Sequence, residues 1–197
     1  IMEKGLISII IPTYNRADLL KETLDSFRKQ TYAQWECLVV DDGSSDQTEA
    51  LVKSYANTDA RFQFFKRPAN RPKGANACRN YGFEKSSGEF INWFDSDDLV
   101  APDFLKIKKN ILDNDQTLDL AACFGEQFYI DNRPNHPVCP VDDYSNNEVE
   151  NYILHDFCFY TPSPLWRRSS LLERDEWFDE HIHRGQEKDF HFRMVVK

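Results

Sequence analysis

The chain has 197 residues, 41% of them apolar and 29% charged, which fits one soluble globular domain with an ample core. A net charge of −9 argues against nucleic acid or an anionic membrane surface as the main partner, although a divalent cation can still join carboxylates to a phosphate ligand. Five cysteines, an odd number with no C-x-x-C pair, read as ordinary reduced thiols of a cytosolic protein rather than as disulfides or a zinc site.

The first apolar run, LISIIIP (6–12), is continuous and β-branched, as a strand covered on both faces requires. It is too short for a signal peptide, and nothing in the chain approaches the length of a membrane span. RADLLKETLDSFRKQ (16–30) places Leu20, Leu24 and Phe27 on one helical face. WECLVVDD (35–42) is a second buried strand, and DQTEALVKSY (46–55) a second helix with Asp46 and Glu49 at capping-box spacing. RFQFFKR (61–67) is a third strand. GANACRNYGFEKS (74–86) makes a helix whose small residues Gly74, Ala75, Ala77 and Cys78 permit close packing. EFINWFD (89–95) is the fourth strand, and Pro102 opens a helix through PDFLKIKKNIL (102–112). After DLAACFG (119–125) the pattern decays. Residues 131–150 read as a polar surface loop, and the remainder is irregular until a helix near 186–197. The chain stops inside that helix, so a truncated C-terminus is expected.

Strand–helix alternation of this kind predicts an α/β domain with a mostly parallel sheet and helices on both faces. In such sheets ligands bind beyond the C-terminal strand ends, and here those ends carry PTYNR, DDGSSD and DSDD. The last is the most informative. Asp95, Asp97 and Asp98 crowd into four positions at the end of an aromatic strand, more carboxylates than helix capping needs. A divalent cation with oxygen ligands, itself bound to phosphates, relieves their repulsion most simply. In VVDDGSSD, Gly43 supplies a flexible turn and Ser44, Ser45 or Asp46 a helix cap, while a carboxylate there is placed to accept hydrogen bonds from a base or ribose. The Tyr14 ring is placed to stack on a nucleobase. Arg79, entering strand four, reaches a diphosphate or braces the aspartates.

In this order and spacing, ISIIIPTYNR (7–16), VVDDGSSD (39–46), KGANACRNYG (73–82) and FDSDD (94–98) resemble the inverting family 2 glycosyltransferases with the GT-A fold. A weaker likeness runs through SPLWRRSSLLE (163–173) and WFDEHIHRGQEKDFHFR (177–193). No G-x-G-x-x-G follows strand one, which separates the chain from dinucleotide-binding dehydrogenases. It also lacks the glycine-rich N-terminal loop of sugar-phosphate nucleotidyltransferases.

The resemblance implies a single catalytic domain, with residues 1–98 binding the nucleotide-sugar and 99–197 forming the acceptor side. Pro12, Thr13 and Tyr14 are then expected to line the base, and Asp42 to hydrogen-bond it. Asp95 faces the ribose or the metal's water shell. Asp97 is the direct ligand of Mn²⁺ or Mg²⁺, with Asp98 supporting or substituting, and Arg79 orients the acidic turn. The family's catalytic carboxylate is usually an Asp preceded by Glu, six positions before an Arg. Counting back from Arg193 gives Glu187 preceded by Gln186, a departure from the pattern that leaves Asp189 as a rival base. The expected partners are a nucleotide-sugar donor, a UDP-sugar favoured, and a saccharide or lipid-linked acceptor, with no nucleic acid. The expected setting is bacterial surface polysaccharide synthesis at the cytoplasmic face of the membrane, with membrane contact only through residues past Lys197. The alternative is a nucleotide-sugar-binding module that has lost catalysis. His181, His183 and His191 have no further ligand at suitable spacing and read as surface or acceptor-side residues, with His136 and His155 incidental.

Overall fold

A computed structural model describes residues 2–129, 134–138, 160–182 and 184–195. Four parallel strands form one side of a six-stranded sheet: β1 (Glu3–Thr13), β2 (Trp35–Asp41), β3 (Phe62–Lys66) and β4 (Gly88–Trp93). β8 (Leu165–Arg167) pairs antiparallel with β4 and with β5 (Leu120–Ala121), giving the order β3-β2-β1-β4-β8-β5. A separate hairpin joins β6 (Gly125–Gln127) to β7 (His136–Val138).

The continuous apolar strands are buried from both sides because helices cover both faces. Ile7, Ile9 and Ile11 of β1 pack with Leu20, Leu24 and Phe27 of α1 (Ala17–Arg28), with Val52 of α2 (Thr48–Thr58) and with Leu105 and Leu112 of α4 (Phe104–Asn114). Ile10 points the other way. It joins Phe83 of α3 (Ala75–Lys85), Leu171 of α5 (Arg168–Leu172) and Phe190 and Met194 of α6 (Gln186–Val195). Each of these fully buried chains contributes roughly 1.5–3 kcal/mol of transfer free energy.

Three expectations about elements change. The capping box at Asp46 and Glu49 does not form: Glu49 instead pairs with Lys53 at 2.7 Å and Lys66 at 2.6 Å. Pro102 lies in the turn before α4, which begins at Phe104, and its carbonyl accepts the Thr31 N–H at 2.9 Å. Within the expected surface loop of residues 131–150, His136–Val138 is a strand, and positions 131–133 and 139–150 lie outside the described residues. No described helix is long and apolar enough to cross a membrane. Cys37 and Cys78 are buried free thiols and Cys123 an exposed one, as expected, while Cys139 and Cys158 lie outside the described residues.

Candidate active site

At the C-terminal edge of the parallel strands, a cleft of about 430 Å³ opens. Pro12, Thr13, Tyr14, Asp42, Arg79, Asp95 and Asp97 all line it, so the structure brings together most of the residues singled out from the sequence. Arg16 and Ser96 line it too. Asp98 and Glu187 do not line it: Asp98 follows Asp97 in the acidic turn, and Glu187 lies on α6, near enough for its charge to act on Asp98.

The first two turns are stitched to each other. Asn15 adopts a left-handed backbone with φ 49°, a conformation its short polar side chain tolerates. Its N–H donates to Ser44 Oγ, and its Oδ1 accepts the Ser45 N–H, both at 2.8 Å. Asp46 accepts the Ala17 N–H at 3.1 Å and the Thr48 N–H at 3.0 Å, so one carboxylate serves the starts of both α1 and α2. Gly43 turns the chain with φ 95°, as expected of the flexible residue there.

The two aspartates ending β2 divide their work. Asp41 is buried and accepts the N–H groups of Gly43 at 3.2 Å and Ser44 at 3.1 Å, so it builds the turn. Asp42 faces the cleft. Its Oδ1 accepts from Arg67 Nε, and its Oδ2 accepts the Gly74 N–H at 3.0 Å. Two carboxylate oxygens offer about four acceptor directions, so capacity remains for a ligand. Beside it Tyr14 stands 51% exposed, and the buried Thr13 hydroxyl makes no hydrogen bond among the described residues.

Each aspartate of the acidic turn meets a different environment. Asp95 accepts from Arg79 Nη2 at 2.9 Å. Arg79 is not the surface residue that its charge suggests: it is buried, with Nη1 donating to Asn76 Oδ1 and Gln186 Oε1, both at 3.2 Å, and its guanidinium lying 5.1 Å from the Phe178 ring. Asp97 pairs with Arg16. Asp98 forms no ion pair among the described residues. Its side chain is exposed, yet protein atoms near its carboxyl push it up to about 6, helped by the charges of Asp95, Asp97 and Glu187.

The two rivals on α6 are separated by their partners. Asp189 is engaged by Arg193, with Nη2 at 2.7 Å and Nε at 3.1 Å. Glu187 is half-buried, and its charge is felt at Asp98. α6 is held against β4 by aromatic packing: Phe190 stacks on Phe178 at 4.2 Å and meets Trp93 edge-on at 5.2 Å. The polar ridge of α3 holds the segment before α6. Asn76 Nδ2 donates to the Asp179 carbonyl at 2.6 Å, and Asn80 Nδ2 to that of Phe178 at 2.8 Å.

The other candidate chemistries fall away. The Cys78 thiol lines the cleft, but burial pushes it up to about 12, which disables it as a nucleophile at neutral pH. His181 is exposed, His191 is buried beside Trp166, and His136 sits on β7, while His155 and His183 lie outside the described residues. Among the described residues no three His, Cys, Asp or Glu side chains converge closely enough to enclose a metal by themselves. Mg²⁺-like ions need no such cage, since they are bound through one or two carboxylates together with waters and substrate phosphates. The acidic turn, with Asp98 destabilised as a carboxylate by its neighbours, fits an ion held in that way.

Sequence reading did not reach Arg16, Ser96 or Asn76. Arg16 stands within PTYNR and Asn76 within GANACRN, but neither position carries a periodicity or a charge cluster that announces a role.

A parallel sheet with its cleft at the C-terminal edge, lined by an aromatic ring and an acidic turn, defines an α/β protein of the kind that binds its ligand beyond the strand ends. Residues 8–161 match glycosyl transferase family 2, and the chain belongs to that family. It is 31% identical over 96% of its length to an uncharacterised glycosyltransferase of Rickettsia typhi, and 31% identical over 86% to the putative glycosyltransferase EpsH of Bacillus subtilis. It spans 58% and 49% of those two proteins, about half of each. The fold is GT-A. The S. aureus TarS 1–349 structure superposes on 96% of the chain with TM-score 0.75 and 25% identity, the chain covering 55% of it. The mannosyltransferase PcManGT from Pyrobaculum calidifontis, in complex with GDP-Man and Mn²⁺, superposes on 95% with TM-score 0.68 and 20% identity, the chain covering 51% of it.

Proposed function

We propose that the chain is the donor-binding and catalytic part of an inverting glycosyltransferase. It moves a hexosyl or hexosaminyl group from a nucleoside diphosphate, a UDP-sugar by preference, to a glycan or lipid-linked acceptor. The observation that carries this reading is the meeting of Tyr14, Asp42 and the acidic turn around one cleft. Structures of the same fold captured with UDP-GlcNAc or with GDP-Man and Mn²⁺ support it.

Tyr14 offers its open ring for stacking on the nucleobase, and Asp42, oriented by Arg67 and Gly74, accepts from the base edge. The unpartnered Thr13 hydroxyl supplies a further polar contact. Asp95, held by Arg79, faces the ribose. Asp97, with Asp95 or Asp98 beside it, would hold Mn²⁺ or Mg²⁺, which would supply positive charge to neutralise the departing diphosphate oxygen. Glu187 takes the proton from the acceptor hydroxyl as that oxygen attacks the anomeric carbon. Base and leaving group act from opposite faces of the sugar, so one displacement inverts the anomeric configuration. No side chain needs to form a covalent intermediate.

UDP release from UDP-sugars in the presence of Mn²⁺ tests the assignment. Asp97→Ala is expected to abolish it. Glu187→Gln is expected to lower it about 10²–10⁴-fold, the usual span of general-base catalysis, while UDP still binds. Release at the wild-type rate in Glu187→Gln removes the base. UDP binding without any turnover in the wild type favours a binding module.

A further inference from the structure

Two guanidinium groups line the cleft, and they are held very differently. Arg79 is 5% exposed and engages Asn76, Asp95 and Gln186 at once, so it is a fixed part of the scaffold. The Arg16 side chain is 48% exposed and, among the described residues, pairs with Asp97 alone. Its backbone is anchored, with the carbonyl accepting the Leu20 N–H at 2.9 Å at the start of α1, so motion there belongs to the side chain. An ion pair this open to solvent shifts an equilibrium by a few-fold at most and breaks readily.

The acceptor of that contact is the carboxylate to which the proposed function gives the metal. Arg16 Nη1 donates to Asp97 Oδ2, and a dication on the same oxygen faces a cation at hydrogen-bond distance. Even with the metal on the second oxygen, guanidinium and dication would repel each other across one carboxylate, so each weakens the other's hold on Asp97. A displaced Arg16 remains in the cleft, half in solvent, and its planar fork matches two phosphate oxygens.

We infer that Arg16 is an exchangeable donor-binding residue: it and a divalent cation compete for Asp97, and once displaced it binds the diphosphate of the nucleotide-sugar. The inference rests on the reading of the cleft as a nucleotide-sugar site. It gives the metal and the donor a linked mode of binding, because the diphosphate receives the guanidinium that the metal expels.

Calorimetric titration of the 197-residue chain separates the two halves of this exchange. Mn²⁺ alone is titrated first, then UDP at saturating Mn²⁺, into wild type, Arg16→Ala and Arg16→Lys. Arg16→Ala should bind Mn²⁺ alone two- to fivefold more tightly, since a competitor is gone. It should bind UDP with Mn²⁺ about tenfold more weakly, since a charge-assisted contact is lost. Arg16→Lys, which keeps the charge but not the fork, should lie between on both scales. Equal melting temperatures of the three proteins would show that neither change reflects misfolding. Unchanged or weaker Mn²⁺ binding in Arg16→Ala overturns the competition, and unchanged UDP binding overturns the transfer, both while wild-type binding leaves the donor site standing. A wild type that binds neither Mn²⁺ nor UDP overturns the donor site and this inference with it.

Discussion

Lys108 shows how far a single side chain can depart from its usual chemistry in this fold. Its amine is 2% exposed, donates to the Ser163 carbonyl and lies 3.5 Å from the Phe104 ring centroid. Burial pushes it down to about 8, only partly offset by Cys123. In the unfolded chain the amine keeps its proton to about 10.4. Between pH 8 and 10, therefore, the unfolded state binds more protons than the folded one, and this group makes stability rise with pH. Below pH 8 both states are protonated and the burial penalty stands in full. Thermal unfolding across pH 8–10 should show a smaller rise in Lys108→Met than in wild type. Parallel curves would show that the amine is solvated as freely in the folded chain as in the unfolded one. At the acidic turn the same physics acts with opposite sign. Asp98, though exposed, is driven up by the protein atoms near its carboxyl and by three neighbouring carboxylates, and it favours the arrival of positive charge.

At the scale of elements, α3 positions the site. Its outer ridge, Asn76 and Asn80, holds the segment entering α6, and Arg79 joins the acidic turn to the first residue of α6. The opposite side of α3 must then approach the sheet closely, and Gly82 permits it. A Cβ at that position would stand 2.3 Å from Ile10 Cγ2 and 3.2 Å from Val40 Cγ2. Gly82→Ala gains helix propensity but overpacks a buried contact, and the clash prevails because Ile10 and Val40 are fully buried and, being β-branched, stiff at χ1. Chemical denaturation should show a loss of about 1–3 kcal/mol. A variant as stable as wild type would mean that α3 can move off the sheet without cost.

For the molecule as a whole, the parallel half was legible because its strands are buried on both faces, so LISIIIP and WECLVVDD stand out as unbroken apolar runs. The acidic turn was legible because three carboxylates in four positions demand a partner. Beyond residue 119 the signal fails for a physical reason. β8 is three residues long, and its burial comes from pairing with β4 more than seventy positions earlier, which no local pattern records. The proposed preference for Glu187 over Asp189 rests on Arg193 engaging Asp189, an i,i+4 pair whose spacing the sequence does contain but whose bearing on the rival carboxylate shows only in the folded helix. Arg16 was missed because an arginine in a turn acquires meaning only when folding brings it to Asp97.

The account stands on a dication and a diphosphate sharing the acidic turn beside Tyr14 and Asp42. Thermal unfolding of wild type and Asp97→Asn with UDP, each with and without Mn²⁺, tests that directly. A ligand bound only by the native state raises the melting temperature. The prediction is a rise with UDP and Mn²⁺ together that far exceeds the rise with either alone, and its disappearance in Asp97→Asn. A UDP response equally large without metal, or one that survives in Asp97→Asn, would contradict it.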